Sequence, residues 1–401
     1  MDPIRNPFAP GAGSPPPELA GRSAVRERMR QCIGRLRIGR PAKSMMLIGL
    51  RGAGKTVLLF QMLKDAERDG AITIRIEAPE GRSLPALLAP QIRLVLLKLN
   101  RWSQAQAYAV RGLRALAGFA GKLKATYGDI EVGLDYEPEP GLADNGELEG
   151  DLAMLLEQVG RAAQAADTAV AIFIDELQYV KESELEALIS ALHRVSQQQL
   201  PITLVGAGLP QLRGKMGEAK TYAERMFEFP EIGSLSPSDA RAAIVIPIEN
   251  EGERIEDDAV ALIIEQTQGY PYFLQEWGKH AWDDAARSPI SAADVRNATQ
   301  QAVVTLDESF FRVRFDRLTP KEKAYLRAMA ALGPGPHRSG DIAEALHRPT
   351  TSLGPIRSSL IAKGMIWSPT HGDTAFTVPL FDDFMKRVMP MEKTGDIAAS
   401  G

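Results

Sequence analysis

The first 235 residues alternate between short apolar runs and longer segments in which apolar residues recur at helical spacing. Strands that alternate with helices in this way are typical of a mostly parallel α/β sheet. One run, AVAIFID, is apolar throughout, as expected of a strand that is buried on both faces. The five predicted strands are Met45–Ile48, AITIRIEA, Ala169–Asp175, Pro201–Gly208 and Phe227–Gly233.

After Leu235 the pattern changes, because helical periodicity continues without further buried strands. Segments such as DDAVALIIEQTQG predict an all-α lid domain over residues 236–317. From about Leu318, three helical segments precede the short runs MIWSP and TAFTVP, which predict a hairpin around Thr370–Asp373. Three helices followed by a hairpin indicate a winged-helix domain over residues 318–390.

Composition sets the remaining boundaries. Residues 1–18 are rich in Pro, Gly and Ala and predict an extended leader, and residues 391–401 are interpreted as a tail. The α/β core then spans residues 19–235, with an insertion at about 93–151.

The insertion divides its charges by sign. Residues 93–124 carry basic but no acidic side chains, whereas residues 128–151 carry acidic but no basic ones. The basic part is helical and amphipathic, and DIEVGLDYEP in the acidic part predicts a strand pair or an edge strand. Two interpretations stay open: two solvated surfaces of opposite sign, or a basic helix that meets an anionic partner and is otherwise shielded by the acidic part.

Charge and cysteine content limit the function classes. The formal net charge of −4 means that any contact with nucleic acid must come from a local basic patch. The single cysteine excludes an internal disulfide, which fits a reducing cytoplasm. We find neither a secretory signal nor an apolar run of the roughly 18–20 residues that a membrane helix needs. The sequence therefore predicts a soluble cytoplasmic protein without a membrane partner.

The stretch GLRGAGKT fits the phosphate-binding pattern G-x-x-x-x-G-K-[ST] and lies between a predicted strand and a predicted helix. Its glycines let the backbone surround an anion with inward N–H groups, and the helix N-terminus adds a positive dipole end. The Lys55 ammonium is placed to reach the β and γ phosphates, and the Thr56 hydroxyl to ligate Mg²⁺. The predicted nucleotide-binding residues here are Gly49, Arg51, Gly52, Ala53, Gly54, Lys55, Thr56 and Val57.

Two adjacent carboxylates follow the apolar strand AVAIFID. Asp175 ends the strand and is placed to hold Mg²⁺. Glu176 can orient and deprotonate an attacking water, which predicts a nucleoside-triphosphate hydrolase rather than a phosphotransferase. A solvated loop acid is the alternative for Glu176. The amide of Gln178 either reaches the same site or lies exposed in the loop.

These motifs, with ELAGR at Glu18–Arg22 and the helical region before a winged helix, resemble AAA+ ATPases of the archaeal initiator (origin-recognition) type. They equally resemble the related signalling ATPases called STAND. The resemblance covers roughly residues 17–390 and implies a P-loop AAA+ core, binding of ATP/ADP with Mg²⁺, and a homo-oligomer. By the same resemblance, Leu19, Gly21 and Arg22 would frame the adenine; read alone, they are a turn before a helix.

Three further positions can be compared with this superfamily. The family usually senses the γ-phosphate with a polar residue on strand four, where this chain has Val205 to Gly208, so backbone N–H groups or Gln211 would have to substitute. Arg225 lies where initiator-type ATPases carry an arginine finger that acts on a neighbouring subunit; a surface arginine paired with Glu224 or Glu228 is the alternative.

The third position is GYPYFLQEWG. Initiator-type ATPases usually have Gly-x-x-Arg here, whereas Gly269, Tyr270 and Pro271 resemble the STAND branch, in which these residues pack near the nucleotide. A helix start with Gly-x-Pro and aromatic residues in the core is the structural alternative.

The winged-helix region is mildly basic and predicts contacts with double-stranded DNA, although winged helices also bind proteins. Two functions follow. One is an ATP-driven switch on DNA that recruits other factors; the other is a STAND-like signalling or defence ATPase with a protein partner. The candidate DNA contacts are Arg338, Arg348, Arg357, Lys363 and His371.

Overall fold

The computed structural model describes residues 1–11, 13–127, 136–370 and 372–390, with only the backbone at 123 and 125–127. Two compact units are present. The first comprises Gly11–Gly49 and Ala53–Gly233, and the second comprises Met1–Pro10, Leu50–Gly52 and the described residues from Ser234 onward. Among the described residues, no helix is both long enough and apolar enough to cross a membrane.

The first unit is built on a parallel sheet of five strands in the order β2-β3-β4-β1-β5. The predicted α/β fold class is confirmed. The last strand is shorter than expected, because it continues beyond Glu228 only as an isolated bridge between Ile48 and Glu231. The strands are β1 (Ser44–Ile48), β2 (Ile72–Glu77), β3 (Val170–Asp175), β4 (Ile202–Gly208) and β5 (Phe227–Glu228).

Eight helices accompany this sheet in the described part of the first unit. All six residues of β3 and all seven of β4 are buried, so the apolar runs are enclosed as the sequence pattern predicts. The helices are α1 (Ser23–Arg37), α2 (Lys55–Arg68), α3 (Leu84–Leu99), α4 (Gln106–Tyr127), α5 (Leu148–Ala165), α6 (Glu182–Gln197), α7 (Gln211–Ala219) and α8 (Ala223–Met226).

The basic part of the insertion, residues 93–124, covers the end of α3, the turn after it, and most of α4. Arg111 on α4 pairs with Glu139 of the acidic part at 2.9 Å, so the two parts partly neutralise each other. The strand pair predicted for DIEVGLDYEP falls mainly on 128–135, outside the described residues.

The second unit contains the predicted helical lid and, after it, four helices and a three-stranded antiparallel sheet among the described residues. The lid comprises α9 (Pro237–Asn250), α10 (Asp257–Thr267), α11 (Pro271–Asp284) and α12 (Ala292–Thr305), then a π-helical turn (Leu306–Phe311) and α13 (Arg312–Phe315). The remaining elements are α14 (Pro320–Ala331), β6 (His337–Arg338), α15 (Ser339–Ala345), α16 (Thr350–Ala362), β7 (Ile366–Trp367), β8 (Asp373–Phe376) and α17 (Phe381–Val388).

The predicted leader is divided between the two units. Residues 1–10 pack into the second unit: Phe8 is buried against Gly278, and the Trp282 indole N–H donates to the Asp2 carbonyl at 2.8 Å. The composition of residues 1–18 did not reveal this docking. The boundaries of the predicted domains otherwise remain predictions.

Glu322 is the polar centre of α14 and its neighbours. Its buried carboxylate accepts from the Lys363 ammonium at 2.8 Å, the Ser359 hydroxyl at 2.7 Å and the Thr319 N–H at 2.7 Å. Burial opposes ionisation, but these donors outweigh it and lower the pKa of the Glu322 carboxyl to about 2. The ionised carboxylate therefore stabilises the fold.

We expect Glu322→Gln to lower the free energy of unfolding by about 1–3 kcal/mol at pH 7, because buried donors lose a charged acceptor. The pKa of the Glu322 carboxyl is 4.5 in the unfolded state and about 2 in the folded state. The ionised carboxylate therefore stabilises the fold fully above pH 4.5, and this stabilisation is lost as the pH falls towards 2. The difference between wild type and variant should therefore shrink between these values. Denaturant unfolding at several pH values measures it. The exposed Glu344→Gln is the control, and a constant difference would contradict the linkage.

Candidate nucleotide-binding site

The loop GLRGAGKT connects the end of β1 to the start of α2. Gly52 and Gly54 have φ angles of +84° and +86°, which side-chain-bearing residues rarely adopt. A Cβ atom at Gly49 would lie 2.0 Å from the Ile232 carbonyl oxygen, so only glycine fits there. The loop thus has the backbone conformation that places N–H groups around an anion at a helix N-terminus.

Lys55, Thr56 and Asp175 meet at the carboxyl end of the sheet. Lys55 and Asp175 are buried, and the Thr56 hydroxyl hydrogen-bonds to the Asp175 carboxylate. Burial raises the pKa of the Asp175 carboxyl, and the hydrogen bond from Thr56 opposes that rise. Two adjacent hard oxygen donors beside a phosphate-type loop fit Mg²⁺, and these two residues would hold it.

Glu176 follows with a left-handed backbone, at a φ angle of +56°. Its carboxylate accepts from the Gln178 side-chain amide, and the side-chain Oε1 of Gln178 accepts from the Leu209 N–H at 3.1 Å. Gln178 therefore links the carboxylate of Glu176 to the end of β4. Of the two alternatives for Gln178, the structure favours the one in which it reaches the site.

Glycines occupy the end of strand four for a steric reason. A Cβ atom at Gly206 would lie 2.2 Å from Leu177 Cδ1 and 2.5 Å from Met46 Sδ, and one at Gly208 would lie 2.9 Å from Gln178 Oε1. A side chain at either position would therefore displace the ends of neighbouring side chains. Gln211 starts α7 nearby in sequence, and its buried side-chain oxygen has no hydrogen-bond partner.

The segment ELAGR leads into α1 within the first unit. Gly21 has a φ angle of +69°, and Leu19 is half-buried. The buried Arg22 guanidinium donates to the Gly233 carbonyl at 2.5 Å and to the Ala53 carbonyl at 3.5 Å. Arg22 thus ties the start of α1 to the P-loop, a contact that the motif alone did not predict.

The apex of the loop, Leu50–Gly52, belongs to the second unit by its contacts. There the Tyr270 hydroxyl donates to the Arg51 carbonyl, and the Tyr272 N–H donates to the Gly52 carbonyl at 3.3 Å. The Arg51 N–H donates to the Thr377 carbonyl at 3.3 Å. Pro271 opens α11 directly between the two tyrosines. The Gly-Tyr-Pro segment thus contacts the loop backbone.

Arg314 is a further basic residue beside this apex. Its guanidinium lies 4.0 Å from the Phe310 ring centroid, and Phe310 stacks on Tyr272 at 4.7 Å. Burial and the nearby Arg51 lower the pKa of Arg314 to about 10. Sequence reasoning found no arginine near Gly-Tyr-Pro because Arg314 is distant in the chain and follows a π-helical turn.

The remaining candidates lie elsewhere. Arg225 is exposed on α8, at the start of β5. Arg338 and Arg348 are exposed, whereas Arg357 donates to Thr374, Ser368 and the Asp373 carbonyl, and Lys363 pairs with Glu322. The last candidate, His371, lies outside the described residues.

Comparisons with known proteins agree with this geometry. Residues 18–205 match the family model of the AAA ATPase domain, and residues 308–385 match a domain of unknown function (DUF8462). A search of curated proteins found no match.

Solved structures of other proteins are similar to this chain. A Walker-type ATPase of Pyrococcus abyssi is similar at 15% identity and a TM-score of 0.57, over 92% of this chain and 96% of that one. Aeropyrum pernix ORC1 in complex with DNA aligns at 14% identity and 0.46, over 96% of both chains. The Thermotoga maritima RuvB branch migration motor aligns at 16% and 0.44, over 89% and 92%.

The chain therefore has the α/β fold of P-loop AAA+ proteins with a helical C-terminal extension. The domain match and this fold together support an AAA+ ATPase.

Proposed function

We propose that the protein is an ATP-hydrolysing AAA+ switch whose nucleotide state controls what its C-terminal region binds. Lys55 would neutralise the β and γ phosphates, while Thr56 and Asp175 would hold Mg²⁺, which supplies further charge neutralisation. Glu176 would orient the attacking water and accept its proton. Gln178 would position the Glu176 carboxylate.

The contact between the P-loop apex and the C-terminal region carries this proposal. Tyr270, Tyr272 and Thr377 hydrogen-bond to the backbone of Arg51 and Gly52. A loop that must wrap phosphates cannot change its backbone without changing these bonds. Tyr270 precedes α11 of the lid, and Thr377 follows β8 of the three-stranded sheet. Nucleotide binding would therefore change hydrogen bonds of both the lid and this sheet.

We propose double-stranded DNA as the ligand of residues 318–390, acting as a winged helix, with an oligomer as the active form through Arg225. Arg338 and Arg348 are exposed and remain candidates for DNA contact. Arg357 and Lys363 are weaker candidates, because their side chains bond to Asp373 and Glu322 within the same region. Lys98 and Arg101, exposed around the turn after α3, add positive charge without nearby acids in the sequence.

We expect duplex DNA to raise both the ATPase rate and the oligomer mass at low salt. Arg338→Ala with Arg348→Ala should weaken DNA binding by about 3–10-fold and reduce the salt dependence, because each lost phosphate contact lowers the slope of log K by about one. Fluorescence anisotropy over a salt series and mass photometry measure these effects. The exposed lid pair Arg287→Ala with Arg296→Ala is the charge-matched control. Absence of any response to DNA would refute the DNA-switch proposal.

The STAND-like function is the second candidate, and the Tyr270 and Tyr272 contacts with the loop favour it. In that case the C-terminal region would regulate nucleotide exchange and bind a protein. The same measurements distinguish the two candidate functions. If the protein hydrolyses ATP but neither its ATPase rate nor its oligomer mass changes with DNA, the result supports the STAND-like function with a protein partner.

A further inference from the structure

A cavity of about 600 Å³ opens in the first unit at the edge where the parallel strands begin. Its wall includes Ser44 and Met45 at the start of β1 and Ile202 at the start of β4. The P-loop and Asp175 lie at the carboxyl ends of strands in the same sheet. The cavity is therefore separate from the candidate nucleotide site, and its volume is typical of small-molecule sites.

Basic side chains dominate its rim. Arg28, Arg35, Lys43 and Arg225 line the cavity, and Glu228 is its sole acidic lining residue in the described structure. Glu228 lies 3.6 Å from Arg28, and Arg35 donates to the Pro41 carbonyl at 3.2 Å. The excess of positive charge favours an anion, and guanidinium groups match phosphate oxygens in pairs.

The floor of the cavity is apolar, with Leu36, Met45, Leu200 and Ile202 all buried. One polar atom in the wall lacks a hydrogen bond: the buried Oε2 of Glu228, despite the nearby Arg28. This oxygen pairs with Arg28 by charge at 3.6 Å without a hydrogen bond, and a ligand N–H would supply one. The cavity thus combines cations, an apolar surface and one carboxylate oxygen that accepts no hydrogen bond.

We propose that this cavity binds a small phosphorylated ligand with an aromatic portion that carries a hydrogen-bond donor. The phosphate meets Arg28 and Arg35, the ring lies on the apolar floor, and the donor bonds to Glu228. The ligand class follows from the three chemistries together, since a bare anion would leave the apolar floor and the Glu228 oxygen uncovered.

Adenosine 5′-monophosphate is the probe, used with full-length Lys55→Ala protein so that the P-loop does not contribute. We expect calorimetry to show saturable binding of adenosine 5′-monophosphate that an excess of ligands for the P-loop site does not prevent. Adenosine and inorganic phosphate should each bind more weakly than the monophosphate. Arg28→Ala with Arg35→Ala should reduce the affinity at least about tenfold, because charge-assisted hydrogen bonds are lost. Arg40→Ala, exposed in the adjacent loop and outside the cavity, is the control.

Cys32, the only cysteine of the chain, lines the cavity and gives a local readout. Burial raises the pKa of its thiol to about 11, so alkylation by N-ethylmaleimide should be slow and measurable by mass spectrometry. Adenosine 5′-monophosphate should slow it further in the control but not in the Arg28, Arg35 variant. No saturable binding, equal affinity in variant and control, or adenosine binding as tightly as its monophosphate would each overturn the proposal. If ATP displaces adenosine 5′-monophosphate from the wild-type protein but not from the Lys55→Ala protein, the displaced monophosphate was bound at the P-loop and not in the cavity.

Discussion

Replacement of Glu176 by glutamine is expected to reduce kcat for ATP hydrolysis by about 10²–10⁴-fold while ATP still binds. Glutamine keeps the size of the side chain and can still hydrogen-bond to Gln178, but it cannot accept a proton from water. Loss of proton acceptance should therefore lower kcat and leave the dissociation constant of ATP within about threefold.

Steady-state phosphate release and equilibrium binding of a fluorescent ATP analogue measure the two quantities. The exposed Glu80→Gln, which removes the same charge from the loop after β2, should change neither. Gln178→Met tests the positioning role: kcat should fall by about tenfold at unchanged KM, and Gln178→Glu should not restore it. A Glu176→Gln protein that hydrolyses ATP at the wild-type rate would show that another group activates the water.

The second large effect is expected at Lys55. Lys55→Ala should weaken ATP binding by about 100-fold, because it removes the buried ammonium that would make charge-assisted hydrogen bonds to the phosphates in the proposed site. Calorimetry with ATP and Mg²⁺ measures the loss. Lys64→Ala is the control. Lys64 lies on the same helix, and its exposed ammonium contacts the Phe60 ring, so its removal should leave ATP binding unchanged. Normal ATP binding by Lys55→Ala would remove the basis of the proposed function.

The fold was predictable where one local rule decided the outcome. The apolar runs became β1, β3 and β4 because a strand buried on both faces can accommodate little else. The P-loop was predictable because positive φ angles and close approach require glycine at Gly49, Gly52 and Gly54. The lid was predictable as helical, although the docking of residues 1–10 into its unit was not.

The residues that sequence reasoning missed act through distant contacts. Tyr272 and Arg314 approach the loop apex from separate elements, and Phe310 joins them by ring stacking. Neither the apolar periodicity nor the spacing of motifs predicts that these residues meet, because each of them also fits an ordinary helix. Similarly, the bonds of Arg357 and Lys363 within their own domain could not be read from the basic composition.

The packing around Gly206 couples strand four to two other elements of the core. A side chain there would meet Leu177 and Met46, which belong to two other elements of the same core. A larger residue at Gly206 would force the ends of the Leu177 and Met46 side chains to move. The effect of such a substitution is therefore expected to depend on the residues at positions 177 and 46 and not to add to the effects of changes made there.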